Sequence, residues 1–520
     1  MDRQNKLKTM ESILTLDIGS SSMRAIHHDS KGRVLNKCRR STVPDYQNDT
    51  CVELDANHFV RVLISLLKKV QVYTRENHLD ILCISVTSQR SSVVPVNKKG
   101  EPLAPFITWH DKRTVSLCHE LSEHEKTVYT TTGLRITPVL SAVKMTWFKR
   151  ERPDIYQRTA KMLGFHDLAL FTLCGNFITD HSLASNTNLL NLQTCEWSRE
   201  MMDIFSVNPS HLCDLVKPGS ICGTSTKDLF DSTGIKENTP IISAGGDQQC
   251  SALGLGIMSN GDFKCTTGTG SYLVAYTDTP IIDDKQRFLC KVGAIPGTYN
   301  LEAGLLTAGT VYRWFLEQFY NIPSGNTGVE TLNQEVLSSP PGANGVLLLP
   351  HFEGSGAPHW NPMDTGVFYK IKLSTTRADM ARAVLEGIVM EMGENIALFK
   401  EELGRIFHIC VSGGMTKFGA YNQLQADVYG ERVIVNSNKE STSLGAWISA
   451  AVTLGMYDSY DAAYQASQTR EADKVFDPNP DMTRFYETRK LERKKLYKAM
   501  QYLETELNSA AKESDNSNLI

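Results

Sequence analysis

The sequence predicts an α/β protein of two domains, and three observations carry that reading. Apolar runs rich in Ile and Val alternate with longer stretches of helical spacing along the whole chain. At 520 residues the chain exceeds the roughly 250 to 300 residues at which single cores stop growing. A strand running into a glycine-and-hydroxyl turn occurs twice, at Leu16 to Ser22 and at Lys264 to Ser271. The echo implies two related halves, residues 11–253 and 254–507, followed by a polar stretch, 508–520, expected to be disordered. Such turns are also common in unrelated proteins, so the echo alone does not prove duplication.

Each element follows from its apolar spacing. Strands are predicted at Ile13 to Leu16, Ile81 to Val86, Pro240 to Ser243, Gly345 to Leu349 and Ile409 to Ser412. Helices are predicted at His58 to Thr74, Val311 to Phe319, Thr376 to Phe399, Tyr421 to Tyr429 and Arg484 to Leu507, where apolar residues recur every three or four positions. Hydrophobic residues make up 41% and charged residues 22%, with a net charge of -4, values ordinary for a soluble globular protein. That balance argues against nucleic acid or an anionic membrane as partner. Near the start, the apolar stretch Ile13 to Leu16 is too short for a signal peptide or an anchor. Twelve cysteines without a CxxC pair argue against a zinc or dithiol redox site and for core thiols in a reducing cytoplasm.

Four segments carry the chemistry. In Leu16-Asp17-Ile18-Gly19-Ser20-Ser21-Ser22-Met23-Arg24 a glycine turn lets backbone N–H groups approach phosphate, hydroxyls add donors, Arg24 neutralises charge, and Asp17 is placed to hold Mg²⁺. It is not a Walker sequence, since no GK[ST] follows. Ala244-Gly245-Gly246-Asp247-Gln248-Gln249 sets a carboxylate at a strand end, positioned to take a proton from an attacking hydroxyl. Cys265-Thr266-Thr267-Gly268-Thr269-Gly270-Ser271 repeats the phosphate-friendly turn, and Ser412-Gly413-Gly414 offers bare backbone to a flat base. Arg90 and Trp109 suit a polyol, through directed hydrogen bonds and an aromatic face for C–H groups. Taken singly, each has a plainer reading: a hairpin turn, a helix cap, a packing glycine pair, a surface ion pair, a core tryptophan.

Order and combination favour the chemical reading. The set resembles the FGGY carbohydrate kinase family, with glycerol kinase-like members nearest, from about Ile13 to about Leu503. The resemblance rests on Asp17 to Arg24, Cys51-Val52-Glu53-Leu54-Asp55, Gln89-Arg90, Trp109-His110-Asp111-Lys112-Arg113, and Ser141, Lys144, Met145 and Trp147. It continues through Asp180 to Asn191, Gly246-Asp247-Gln248-Gln249, Thr267-Gly268-Thr269-Gly270, Ala308-Gly309-Thr310 and Gly413-Gly414, all in the family's order.

By that resemblance the fold is a pair of ribonuclease-H-like, actin-like ATPase domains with an interdomain catalytic cleft. The resemblance implies ATP-dependent phosphorylation of a small polyol or sugar, with Asp247 as general base and Asp17 as the Mg²⁺ residue. Ser20, Ser21, Arg24, Thr269 and Gly309 would contact ATP phosphates, Gly414 would lie near adenosine, and Arg90, Trp109, Gln248 and Tyr272 would line the acceptor site. A homodimer or homotetramer is common in the family. Ser91 and Val139 replace a glutamate and a tyrosine that bind glycerol in glycerol kinases, and Phe418 and Gly419 replace two asparagines near the base. These departures count against glycerol itself. A larger site would admit a four- or five-carbon polyol, a ketose, or a linear signalling sugar of the autoinducer-2 type. A non-catalytic, actin-like nucleotide-binding or regulatory protein is the reading from another class.

Overall fold

The computed structural model of the chain describes residues 9–48, 50–320, 322, 326–468 and 472–517, with backbone alone at 326–327 and 508–517. Two compact units result, and they are interleaved in sequence. Of the described residues, the first takes those within 1–260, 276–301 and 438–471, and the second those within 261–275, 302–437 and 472–520. In space, a late segment, residues 438–471, returns to the first unit. The physical reason is the helix Ser441–Thr453, whose Leu444, Trp447 and Ile448 are buried with Ile13, Cys83 and Ile242 of the first unit's sheet.

That sheet has six strands among the described residues, ordered Ile221–Thr224, Pro240–Gly246, Leu79–Ser88, Met10–Ile18, Ser22–His28 and Val34–Ser41. Met10–Ile18, Leu79–Ser88 and Pro240–Gly246 run parallel. Their continuous apolar runs reflect burial on both faces. Successive residues point to opposite sides: Leu14, Leu16, Ile84, Val86 and Ile241 meet the helices Ala56–Glu76 and Phe165–Cys174, while Ile13, Cys83 and Ile242 meet Ser441–Thr453. Ala56–Glu76 forms because Phe59, Leu63, Leu66, Leu67 and Val70 make one buried stripe and Asp55 caps it, accepting from the amides of Asn57 and His58.

The second unit places Ser271–Thr277, Asp262–Thr267, His408–Ser412, Val433–Val435 and Lys474–Phe476 side by side. Asp262–Thr267 is antiparallel to the strand it turns into and parallel to His408–Ser412. Met10–Ile18 has the same two relations, antiparallel to Ser22–His28 and parallel to Leu79–Ser88, so the echo seen in the sequence is one supersecondary unit used twice. The final helix, Pro480–Ser517, runs on through most of the stretch expected to be disordered, a run that includes the helix-forming Ala510, Ala511 and Lys512. Residues 518–520 lie outside the described residues. No helix among the described residues is long and apolar enough to cross a membrane.

Candidate active site

Strand register builds the site in the first unit. Ile18 pairs with Ser88, and Ser88 with Gly246, so three parallel strands end in one row. At or just past those ends stand Asp17, Gln89-Arg90 and Asp247, the carboxyl edge where α/β sheets place their ligands. Gly19 donates its amide to the Ser22 carbonyl at 3.0 Å, closing the tight turn that sets Asp17 directly opposite Arg24.

Asp17 is 2% exposed and ion-pairs with Arg24. Burial pushes its carboxyl up to about 6 against the pull of Arg24, and the charges of Asp247 and Glu440 push the same way. Arg24 also reaches Glu440 at 3.0 Å, and Lys37 reaches Glu440 at 2.5 Å. Sequence reading missed Glu440. It caps the helix Ser441–Thr453, which covers the same sheet face as Asp17, a placement that no local pattern records.

Ser20, Trp109, Arg90 and Gln248, which the sequence singled out, stand around the same row. Ser20 donates to Gln89 Oε1 at 3.1 Å, and the Trp109 indole donates to Ser20 Oγ at 3.0 Å. Trp109 is half-buried and stacks on His110 with centroids 3.7 Å apart, so it is no simple core residue. Arg90 lies with Nε 3.7 Å from Asp247 Oδ1 and donates to Gln249 Oε1 at 3.4 Å. Asp247 opens the helix Asp247–Gly254, its Oδ1 accepting from the Gln248 amide at 2.8 Å. Gln248 is half-buried and Ser21 exposed.

Beneath the Asp247 turn lies a buried support. Gly246 donates its amide to Ser182 Oγ at 3.0 Å, Ser182 Oγ donates to Asp180 Oδ1, and Ser243 Oγ donates to Asp180 Oδ2. His166 Nε2 completes the set, 2.7 Å from Ser243 Oγ. Other family-like residues prove structural. Asp111 accepts from the Val52 amide at 2.7 Å, and Arg113 bridges Asp111 to Glu53. Lys144, fully buried, donates to the carbonyls of Ser91 and Val139 at 2.7 and 2.5 Å. It thereby ties together the two positions at which the sequence departs from glycerol kinases.

The second unit gathers its own candidates. Gly309 donates its amide to the Gly268 carbonyl at 3.0 Å, and Thr310 and Ala308 donate theirs to the Thr269 carbonyl. The hydroxyl-rich turn thus packs on the start of the helix Gly309–Tyr320, the kind of end that receives phosphate. Gly413 has φ +99° and sits so near this turn that a Cβ would lie 2.2 Å from the Thr267 carbonyl oxygen. Gly414 beside it is exposed and open. Tyr272 is 38% exposed and is placed in this unit rather than with Arg90 and Trp109. Phe418 caps the helix Gly419–Tyr429, and Gly419 is exposed.

Two related sheets, each led by a glycine-and-hydroxyl hairpin, define the class as the two-domain α/β fold of actin-like ATPases, here with an acid at a strand end. The chain belongs to the FGGY family of carbohydrate kinases: its N-terminal domain description matches residues 12–254 and its C-terminal domain description residues 263–454. It is 32% identical over 483 residues to a glycerol kinase of Rippkaea orientalis, spanning 90% of this chain and 94% of that protein. It is 28% identical over 472 residues to a gluconokinase of Bacillus subtilis, spanning 86% and 89%. Its fold matches a ligand-bound xylulose kinase from Lactobacillus acidophilus with a TM-score of 0.89 at 22% identity, covering 95% of this chain and 99% of that one. It also matches Plasmodium falciparum glycerol kinase with ADP, with a TM-score of 0.86 at 25% identity and coverage of 93% and 97%. The protein is accordingly an ATP-dependent kinase of a sugar or polyol, as the sequence resemblance implied.

Proposed function

We propose that the first unit binds the acceptor and holds the base, Asp247, which takes the proton of the attacking hydroxyl as its oxygen bonds to the γ-phosphorus of ATP and the bond from that phosphorus to the β-phosphate oxygen breaks, with ADP as leaving group. The observation that carries this is the common row of strand ends, which sets Asp247 within electrostatic reach of Asp17 and Arg90. Arg90, Trp109 and Gln248 orient the acceptor, and Ser20, Ser21 and Arg24 meet phosphate. In the second unit Thr269, Gly309 and Gly414 take the nucleotide, and Tyr272 contributes to the acceptor. Phosphoryl transfer asks little covalent chemistry of a protein, so positioning and charge stabilisation supply most of the acceleration.

Mg²⁺ fits the residues present. Asp17 is a buried carboxylate whose neighbours Asp247 and Glu440 add negative potential, and octahedral magnesium usually takes one or two carboxylates besides water and phosphate. Bound there, the ion would screen phosphate charge. The glycerol, gluconate and xylulose kinases among the relatives bracket acceptors of three to six carbons, and the replacements Ser91 and Val139 turn the choice away from glycerol. No disulfide joins any of the twelve cysteines, as the reducing cytoplasm we assign would have it.

The test is ADP release from MgATP across a panel of polyols, ketoses and aldonates, with Asp247→Asn as control. ADP formation is expected to depend on acceptor and to fall by about 10² to 10⁴ in the variant, with ATP binding retained. Equal ADP release with and without every acceptor would sink the proposal.

A further inference from the structure

A pocket in the first unit is lined by Arg90 and Ser91, which follow the end of the strand Leu79–Ser88, together with Ser92, Met162, His166 and Asp167. Three residues of its lining each carry a buried polar atom without a hydrogen-bond partner: Ser92 Oγ, His166 Nδ1 and Asp167 Oδ1. Their residues are 2%, 1% and 9% exposed. An unpaired polar atom costs about 1 to 3 kcal/mol when buried, so three on one wall mark a site that something else completes.

Their protonation says what that partner must offer. Ser243 spends its hydroxyl hydrogen on Asp180, so it accepts from His166 Nε2–H. His166 is thereby fixed with a bare Nδ1, and burial holds the ring neutral. The other oxygen of Asp167 already takes the Gly164 amide at 2.6 Å. The Thr179 hydroxyl, on the same lining, hydrogen-bonds to the Asp167 carboxylate. His166 Nδ1 is therefore an acceptor awaiting a hydrogen, the Asp167 carboxylate keeps acceptor capacity beyond Gly164 and Thr179, and Ser92 can give or take. Met145, Met162 and Phe165 supply apolar wall, the surface that suits C–H groups. Arg90 belongs to this lining and also approaches Asp247. Ser91, next to it, is held at φ +68°, an uncommon backbone state for a residue with a side chain.

We infer that this pocket binds the far end of the acceptor: a hydroxylated chain of four or more carbons whose distal hydroxyls donate to His166 Nδ1 and Asp167, with a carboxylate end excluded. The inference deepens the proposed kinase reading and rests on it. A carboxylate brings no hydrogen to two acceptors and places its charge against Asp167, whereas vicinal hydroxyls answer both groups. Sites built on such directed bonds discriminate strongly against ligands that leave them unpaired.

The experiment measures kcat/KM for glycerol, erythritol, ribitol, xylulose and gluconate in the wild type and in two variants, Ser92→Ala and Met162→Trp, the second filling the space from an apolar wall. The wild type is expected to favour the neutral four- and five-carbon acceptors over glycerol by about tenfold or more, and Met162→Trp to erase that ratio, with Ser92→Ala lowering it. Equal ratios in all three proteins would overturn the inference and leave the pocket to ordered water. So would gluconate outperforming the neutral chains. Acceptor-dependent thermal shifts without nucleotide give a second readout. If no acceptor is turned over, the kinase reading fails separately. The pocket then stands only if ribitol or xylulose stabilises the wild type and not Met162→Trp, and falls otherwise.

Discussion

Arg90 does two jobs with one guanidinium, standing beside Asp247 and lining the pocket that runs past Ser91. Arg90→Ala should therefore raise the acceptor KM and lower kcat/KM for acceptor while leaving the ATP dissociation constant nearly unchanged, as steady-state kinetics and calorimetric titration would show. The reverse order would move Arg90 out of the acceptor site. Lys144 makes a different prediction. Burial lowers its ammonium from the ordinary 10.5 to about 7, so between those values the unfolded chain binds the extra proton. Stability from this group accordingly rises with pH from about 7 and levels off above 10.5. Urea unfolding across that window should show the rise in the wild type, and Lys144→Met should flatten it. An unchanged slope in the variant would assign the dependence to another group.

At the scale of elements, Asp247, the base we propose, is positioned by a helix pair. A Cβ added to Gly445 would lie 1.8 Å from the Cys250 carbonyl oxygen, and one added to Gly254 would lie 1.9 Å from that of Ser441. The helices Asp247–Gly254 and Ser441–Thr453 thus touch backbone to backbone at two reciprocal points. Gly445→Val should force them apart at a cost of about 1 to 3 kcal/mol, the range for overpacking. Because Asp247 opens the first of these helices, kcat should fall further than thermal stability suggests. A variant that loses stability with kcat intact would separate helix packing from aim. Glu440 acts at the same junction, holding Arg24 and Lys37 from the cap of Ser441–Thr453.

Across the whole molecule, buried neutral histidines set the response to acid. His27 and His28 in the first unit are lowered from 6.5 to about 4, chiefly by burial. His351 and His359 in the second are lowered to about 4 and about 3 by burial and by Arg493. In each case the unfolded chain takes up the proton first, so their contribution is intact above 6.5 and is lost as pH falls toward 4. His28→Gln should reduce proton uptake on unfolding by about one in that window, measured as the difference in the pH dependence of the melting temperature. Identical dependence in both proteins would contradict the burial of a neutral ring at position 28.

Much of this was written in the sequence. Apolar runs located Ile13 to Leu16, Ile81 to Val86 and Pro240 to Ser243, because a strand buried on both faces is mostly apolar, and the ordered motifs fixed Asp17, Arg90 and Asp247 as candidates. Helix ends were less legible, since caps such as Asp55 are set by single side chains that also occur in loops. What only the tertiary structure decided concerns long-range pairs. Glu440 reaches Arg24 across more than four hundred residues of chain, Lys144 clasps the carbonyls of Ser91 and Val139, and His166, Asp167 and Ser92 meet around one pocket. Local spacing determines which face of an element is apolar, whereas the partner of a buried charge is chosen by the register of strands and the return of a distant helix.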